Sequence, residues 1–421
     1  MKINLDKGKG LLYYGITVFI LNSVMRDSIG YMTGLKLPGL FGTVNILAII
    51  SVVLVYIFCL DDFISVKQWI LLIIVLIYCS LVYISYLEAD VNSRSAVGPY
   101  VLWTSIFPAM ALMLLNYDKI DIKWLFSTFL KIYDTILIVV FLFGILDYFL
   151  GGVINNFIAA YMSDPTWAQM IYTENATYGF RMCTILGSPL INAYYALVLM
   201  VLNKVYYHEY NEKIVNMYII YIISIAAIIL TGSRSALFIG VAFILISELL
   251  GKWGIWKVLV VLIAFAMILN TSLFQETVGA RLQIGFMNES DARYKLWVAF
   301  LNHQFGKVNF FIGGGYNYSR WLTATQNAPT MNFEYPFLMF LYDYGILATI
   351  LYYIMFAVYP IIVFIKNKSY YVMFGYVMIF AFLQTFNGIA QYYDFNLQLG
   401  FIIILLINVI GIPKQAGREE N

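Results

Sequence analysis

Twelve apolar runs divide the chain, each bounded by polar segments. They cover 10–25, 40–60, 68–87, 97–115, 124–150, 185–207, 214–232, 234–250, 255–274, 335–365, 370–389 and 395–412. A helix crosses the hydrocarbon core of a bilayer in about 20 residues. The pattern therefore predicts an all-α polytopic membrane protein of about 12 transmembrane helices, with residues 1–421 forming one integral membrane domain. The runs at 124–150 and 335–365 are longer than a bilayer needs and are expected to tilt or to extend beyond it. No internal repeat is evident, nor the paired interrupted helices that mark many transporters. Composition agrees with the pattern. The chain is 62% hydrophobic and 11% charged, with a mean hydropathy of +0.81, more apolar surface than a soluble protein of this length can hide.

The polar segments fall into two alternating sets. One holds Lys2, Lys7, Lys9, Lys67, Lys119, Lys123, Lys204, Lys213, Lys252, Lys257, Lys366, Lys368, Lys414 and Arg418. The other holds Arg26, Lys36, Arg94, Arg181, Arg234, Arg281, Arg293, Lys295, Lys307 and Arg320. The first has 14 basic residues in short loops and the second 10 in longer ones, so the positive-inside bias predicts that both termini are cytoplasmic. That bias accounts for the lysines. It does not account for seven of the eight arginines lying on the opposite face. Arginine binds phosphate and carboxylate bidentately, so the group suggests an anion-binding outer face. For any single arginine, pairing with a local Asp or Glu is the competing reading.

Two outer segments are long, 151–184 and 275–334. Recurrent Phe, Tyr and Trp argue against disorder in the second. Within it, 289–303 reads as a surface amphipathic helix with Leu296, Phe300 and Trp297 on its apolar face. Gly313-Gly314-Gly315-Tyr316 reads as a turn that allows close backbone approach. It has no Lys-Ser/Thr sequel and follows no Rossmann strand, so a nucleotide site is rejected.

Two stretches concentrate candidate chemistry. Thr231-Gly232-Ser233-Arg234-Ser235-Ala236 interrupts two apolar runs. A helix opening at Ser233 would aim its free N–H groups and positive dipole end at the place where Arg234 sits, which makes an anion site. Asn332-Phe333-Glu334-Tyr335-Pro336 precedes another apolar run. With Asn332 as N-cap, Glu334 falls in the first helical turn, where the dipole suits a negative charge. A plain capping glutamate is the competing reading. Asp147, Asp343 and Asp394 also approach the outer face, as site residues or as arginine partners. Lys131 and Asp134, three apart on one helix, are expected to pair near its inner end. Cys59, Cys79 and Cys183 form no disulfide or metal framework, and two histidines (His208, His303) cannot make a histidine-rich metal site. No signal peptide is evident in the polar first ten residues.

At this point the chain resembles the Wzy-type oligosaccharide repeat-unit polymerases of the O-antigen ligase and polymerase superfamily. Three pieces between Thr231 and Gly345 carry the resemblance. The first is the Ser233-Arg234-Ser235-Ala236 signature opening a helix. The second is Asp291-Ala292-Arg293 with Trp297 and Gly313-Gly314-Gly315-Tyr316 in the large outer loop. The third is the span from Glu334 to Tyr342-Asp343-Tyr344-Gly345-Ile346-Leu347. The resemblance implies a multi-pass protein of the bacterial inner (cytoplasmic) membrane with an extracytoplasmic active site. It implies an undecaprenyl-pyrophosphate-linked oligosaccharide as both donor and acceptor, with a chain-length regulator and a flippase as partners beside membrane lipid, and no nucleic acid. The role of holding pyrophosphate passes to Arg234, Arg293, Arg281, Arg181 and Arg320. Ser233, Asp291, Trp297, Tyr316 and Asn332 would line the site or meet sugar. Where the ligase branch has a histidine, Glu334 stands here, which argues for polymerase over ligase.

The chemistry expected is inverting glycosyl transfer. A sugar hydroxyl attacks the anomeric carbon of a glycan whose pyrophosphate is already an activated leaving group, so no cofactor or metal is called for. Arginines and a helix N-terminus stabilise the departing charge, and Glu334 is the candidate base. Trp167, Tyr172, Trp297, Tyr316, Tyr318 and Trp321 would stack on sugars or simply mark the membrane interface. The competing functions are a ligase that moves finished glycan from the carrier lipid, and a flippase or transporter, which would place functional charges within the spans.

Overall fold

The computed structural model describes residues 7–34, 45–58, 66–90, 98, 102–115, 117, 120–162, 165–249, 254–279, 292–302, 309–325, 333–391 and 394–410. Among these residues the chain is all-helical and has no strand, only an isolated bridge between Thr184 and Gly187. Helices α1 (Lys7–Ile20), α2 (Ser23–Met32), α3 (Ile46–Phe58), α4 (Val66–Glu88), α5 (Leu102–Leu112) and α6 (Ile122–Phe149) form the first half. Among the described residues four helices are long and apolar enough to cross a membrane: Trp69–Glu88 within α4, α6, Pro189–Tyr210 and Pro336–Lys366. Six more apolar helices are shorter.

The first apolar run is two helices and not one. It breaks at Leu21-Asn22, where the Asn22 side chain accepts the Met25 N–H at 3.0 Å and caps α2. Asparagine competes well for backbone groups at a helix start, and here it does so inside a run whose hydropathy predicted continuity.

Between α6 and the next long helix, 151–184 is largely helical: α7 (Val153–Phe157), a π turn (Ile158–Met162) and α8 (Pro165–Tyr178). Then come α9 (Pro189–Tyr210), α10 (Met217–Thr231), α11 (Arg234–Leu249) and α12 (Gly254–Leu269). The most apolar stretch of α9 is 89% buried, so this helix runs through the middle of the bundle. It packs on α6, α10, α11 and α16 (Tyr370–Leu383). An aromatic knot ties α9 to α1, α6 and the last helix, α18 (Asp394–Ile410): Phe19, Phe129, Tyr133, Tyr195 and Phe401 meet with ring centroids 4.8–6.3 Å apart. Edge and stacked geometries of this kind add about 0.5–1.5 kcal/mol per pair beyond burial.

Polar links mark the two ends of the bundle. One end carries lysines: Lys123 meets Glu212 at 2.6 Å, and buried Glu248 on α11 takes Lys204 of α9, Lys257 of α12 at 3.5 Å and the Tyr221 hydroxyl at 3.0 Å. Glu212 lies in water, and its hydrogen bond with Lys123 lowers its carboxyl below the usual glutamate range. The expected Lys131–Asp134 pair is not formed. Asp134 turns into the core and accepts from Asn203 at 2.8 Å, while Lys131 is exposed. Burial beside Asn203 draws the Asp134 carboxylate into the core, away from the exposed Lys131.

The rest of the chain comprises α13 (Ala292–Leu301), α14 (Tyr318–Thr325), α15 (Pro336–Lys366), α16, α17 (Gly388–Gln391) and α18. Helix α15 is interrupted at Gly345, whose φ is +79°. The break exposes backbone groups that the glycine turn satisfies. Gly314 and Gly315 donate to the carbonyls of Tyr342 and Asp343, both at 2.8 Å, and Ile346 donates to Phe310 at 2.6 Å. The close approach expected of the triple glycine is therefore made to another backbone. A Cβ on Gly313 (φ +80°) would sit 2.6 Å from the Asp343 carbonyl. Gly313→Ala is expected to cost about 2 kcal/mol or more from the left-handed backbone and the clash together. A lower unfolding midpoint of the purified protein would show it.

Candidate functional site

The site is built from helix ends. Helix α10 stops at Gly232, a left-handed C-cap with φ +67°. Ser233 then caps α11: its hydroxyl accepts the Ala236 N–H at 3.4 Å and its carbonyl takes the Leu237 N–H at 3.1 Å. Arg234 is the first residue of α11 and is half-buried. The helix start expected from the sequence is present, with Arg234 at its positive end.

Arg181 arrives at the same turn from the segment before α9. Only 5% exposed, it donates from Nε to the Thr231 carbonyl at 2.9 Å, and Met182 donates to the Leu230 carbonyl at 2.9 Å. A guanidinium on the last carbonyls of α10 neutralises that negative helix end. The turn thus has the C-terminus of α10 countered by Arg181, next to the N-terminus of α11 carrying Arg234. Ser235 reaches Thr385, just beyond α16, with hydroxyl oxygens 3.1 Å apart.

A third arginine was not singled out by sequence as a site residue. Arg26 on α2 lies 3.3 Å from Asp394 at the start of α18, and the Ser23 N–H donates to the same carboxylate at 2.5 Å. Beside them Asn22 donates to the Leu186 carbonyl at 2.8 Å and to the Tyr195 hydroxyl at 3.1 Å, and Gln398 reaches Tyr195 at 2.9 Å. This buried network fastens the break in the first helix to the segment carrying Arg181. Asp394 is accordingly an arginine partner. The other two acids serve the backbone: Asp147 accepts from Ile154 (2.5 Å) and Asn155 (3.1 Å), and Asp343 from Ser319 (2.7 Å).

The second group of site residues surrounds the start of α15. Glu334 does not lie in the first helical turn. Tyr335 is the N-cap, Pro336 the first helical residue, and Glu334 precedes both with φ +53°. The expected cap, Asn332, lies outside the described residues, as do Arg281, Asp291 and the side chain of Arg293; the backbone of Arg293 is in the first turn of α13. Leu296 and Phe300 of α13 pack inward with Phe333, Met339 and Tyr342, as an amphipathic helix should. Trp297 departs from the expected apolar face. It is 41% exposed, stacks on Phe300 at 5.5 Å and approaches Tyr335 at 6.0 Å, next to Glu334.

Arg320 is exposed on α14, one residue beyond the Ser319–Asp343 bond. Tyr318 of that helix lies 5.5 Å from Trp321. Burial, and secondarily the Asp90 carboxylate, raises its hydroxyl above the usual tyrosine range, so it remains a hydrogen-bond donor. Tyr316 is buried against Gly98, not at a surface open to sugar.

The structure therefore joins Arg181, Ser233 and Arg234 in one turn, and Glu334, Trp297 and the Arg320 helix in a second cluster. The link is α17: three residues past Thr385 it begins, and its Ala390 packs on the Met339–Tyr342 cluster. Among the described residues no group of three His, Cys, Asp or Glu could hold a metal ion. Compared with known protein families, with characterised proteins and with solved structures, the chain matches none.

Proposed function

We propose that this chain is a membrane glycosyltransferase that polymerises lipid-pyrophosphate-linked oligosaccharide repeat units at its arginine-rich face. In this reading the twelve apolar runs are spans, and both termini are cytoplasmic. The observation that carries it is the turn at 231–235, where Arg234 opens α11 and Arg181 shields the end of α10. Pyrophosphate oxygens at that turn would meet a guanidinium and the positive end of a helix dipole together, with the opposing dipole of α10 already countered.

In the reaction, a sugar hydroxyl of the acceptor forms a bond to the anomeric carbon of the donor glycan. The bond from that carbon to the lipid pyrophosphate breaks with inversion, and the hydroxyl proton passes to Glu334. The charge that grows on the leaving pyrophosphate is what Arg234 stabilises. Glu334 is supported by its backbone. A glutamate in the left-handed region costs on the order of 1–2 kcal/mol, and such strain tends to be kept at functional positions. Glu334→Gly is therefore a clean test, because glycine accepts that φ without cost. It should lower turnover about 10²–10⁴-fold while the unfolding midpoint stays unchanged or rises. Activity near wild type would remove Glu334 as the base.

A second reading, a transporter, is favoured by one observation. Two apolar helices are interrupted, at Leu21-Asn22 and at Gly345, and the first break holds a buried charge pair. Chain growth by purified protein separates the two readings, because a transporter leaves repeat units unjoined.

A further inference from the structure

A small pocket of about 10 Å³ lies where the break in the first apolar run meets the start of α18, with Ser23, Ile191, Tyr195, Asp394 and Gln398 among its walls. Gln398 is only 1% exposed. Its Nε2 donates to the Val18 carbonyl at 2.7 Å and to the Tyr195 hydroxyl at 2.9 Å, and that hydroxyl donates in turn to the Phe19 carbonyl at 2.7 Å. Val18 offers only an acceptor there, so the amide end facing it is the NH₂. The other end, Oε1, is buried and meets no donor among the described residues. A buried acceptor in that condition is costly. Asp394 stands one helical turn before Gln398, so the two side chains share a face of α18, with Cβ atoms about 5–6 Å apart. Its carboxylate takes the Ser23 N–H at 2.5 Å and Arg26 at 3.3 Å, and a carboxylate can accept from a further donor.

These groups define the ligand. Two acceptors on one face call for a molecule with two donors. The volume is that of about one water, so the molecule has a single heavy atom. Its charge is settled by Arg26, which neutralises Asp394 and also takes the Leu21 carbonyl, freed by the helix break, at 2.6 Å. The guanidinium thus stands where a broken helix in many transporters holds its coupling cation. A second cation has no unmatched charge to meet, and an anion would face two acceptors. We propose that one water molecule binds in this pocket and donates to Gln398 Oε1 and to the Asp394 carboxylate. It completes a chain of hydrogen bonds from Arg26 through Asp394 and Gln398 to Tyr195 and the Phe19 carbonyl. The break between α1 and α2 is then a hydrated joint, fastened to α9 and α18 and fixed beside the segment that carries Arg181. The proposal stands whichever reaction the arginine-rich face performs.

The test is hydroxyl-radical footprinting of the full-length protein in detergent, with radicals made from water by a brief X-ray pulse. A bound water produces radicals in place, so Tyr195 and Phe395, 0% and 3% exposed, should be oxidised in spite of their burial. When the protein is mixed with heavy-oxygen water just before the pulse, their label should still carry ordinary oxygen at delays where Tyr161, 68% exposed, already carries the heavy isotope. Ile191→Phe fills the pocket, keeps every polar group and should cut the label at both rings about tenfold. Gln398→Met, whose thioether is a weak acceptor, provides the same test if the first variant does not fold. Unlabelled Tyr195 and Phe395 in the native chain, label that persists in the filled pocket, or heavy isotope arriving as fast as at Tyr161 overturns the proposal. Sodium chloride and choline chloride at equal ionic strength should give the same unfolding midpoint. A midpoint raised by sodium alone would put a cation in the pocket, overturn the water and favour the transporter reading.

Discussion

Cells carrying Arg234→Ala in place of the native chain are expected to make single repeat units but no long-chain polysaccharide. Arg234 is the first residue of α11, beside a hydroxyl cap and a neighbouring helix end that Arg181 already neutralises. Deleting one preorganised group that meets developing charge costs about 10²–10³ in turnover. A polymer grows by repeated turnover, so a loss of that size empties the long-chain part of the distribution first. Arg234→Lys keeps the charge but loses the planar fork, and should retain short chains only. Asn216→Ala, which removes the side-chain cap at the far end of α10, is the control for structure alone. Losing the N-cap should cost about 1 kcal/mol in stability and much less in product. Gel analysis of surface polysaccharide reads all three variants.

Arg26→Ala should be the most destabilising single change at the arginine-rich end. It leaves Asp394 charged in a site where the two side chains are only 14% and 8% exposed. Breaking such a pair from one side costs about 3–5 kcal/mol. The consequence reaches the candidate site, because the same break in the first helix holds the Leu186 carbonyl through Asn22, five residues after Arg181. Arg26→Met combined with Asp394→Asn removes both charges and keeps an oxygen for the Ser23 N–H, so it should recover most of the loss. Thermal unfolding of the purified variants measures this. Equal destabilisation by the single and double changes would contradict the pairing.

What could be read in advance followed from local chemistry. Hydropathy announced an all-helical chain with helices able to cross a membrane, and the Gly232-Ser233 pair placed the boundary between α10 and α11, because a left-handed glycine cap followed by a serine cap is written in adjacent residues. The triple glycine announced a close backbone approach, although its partner is a break in α15 that only the folded chain reveals. Other features depend on contacts between distant residues. Arg26 and Asp394 are 368 positions apart, and nothing in either neighbourhood names the other. Asn22 ends a helix inside an apolar run because Leu186 and Tyr195 are there to receive it. Glu334 slipped outside the helix because Pro336 takes the first helical position and leaves the capping place to Tyr335. Trp297 lies three residues from Phe300 on one short helix, yet only a packed structure distinguishes the half-buried ring from the exposed one.

The most direct measurement combines the purified protein in detergent with a lipid-pyrophosphate-linked repeat unit and no other enzyme. A ladder of products, each longer by one repeat and each step releasing lipid pyrophosphate, is the result expected, with the ladder lost in Arg234→Ala. Repeat units that stay unjoined under conditions where the folded protein binds them, or that cross a vesicle membrane intact, would contradict the polymerase and leave the transporter standing.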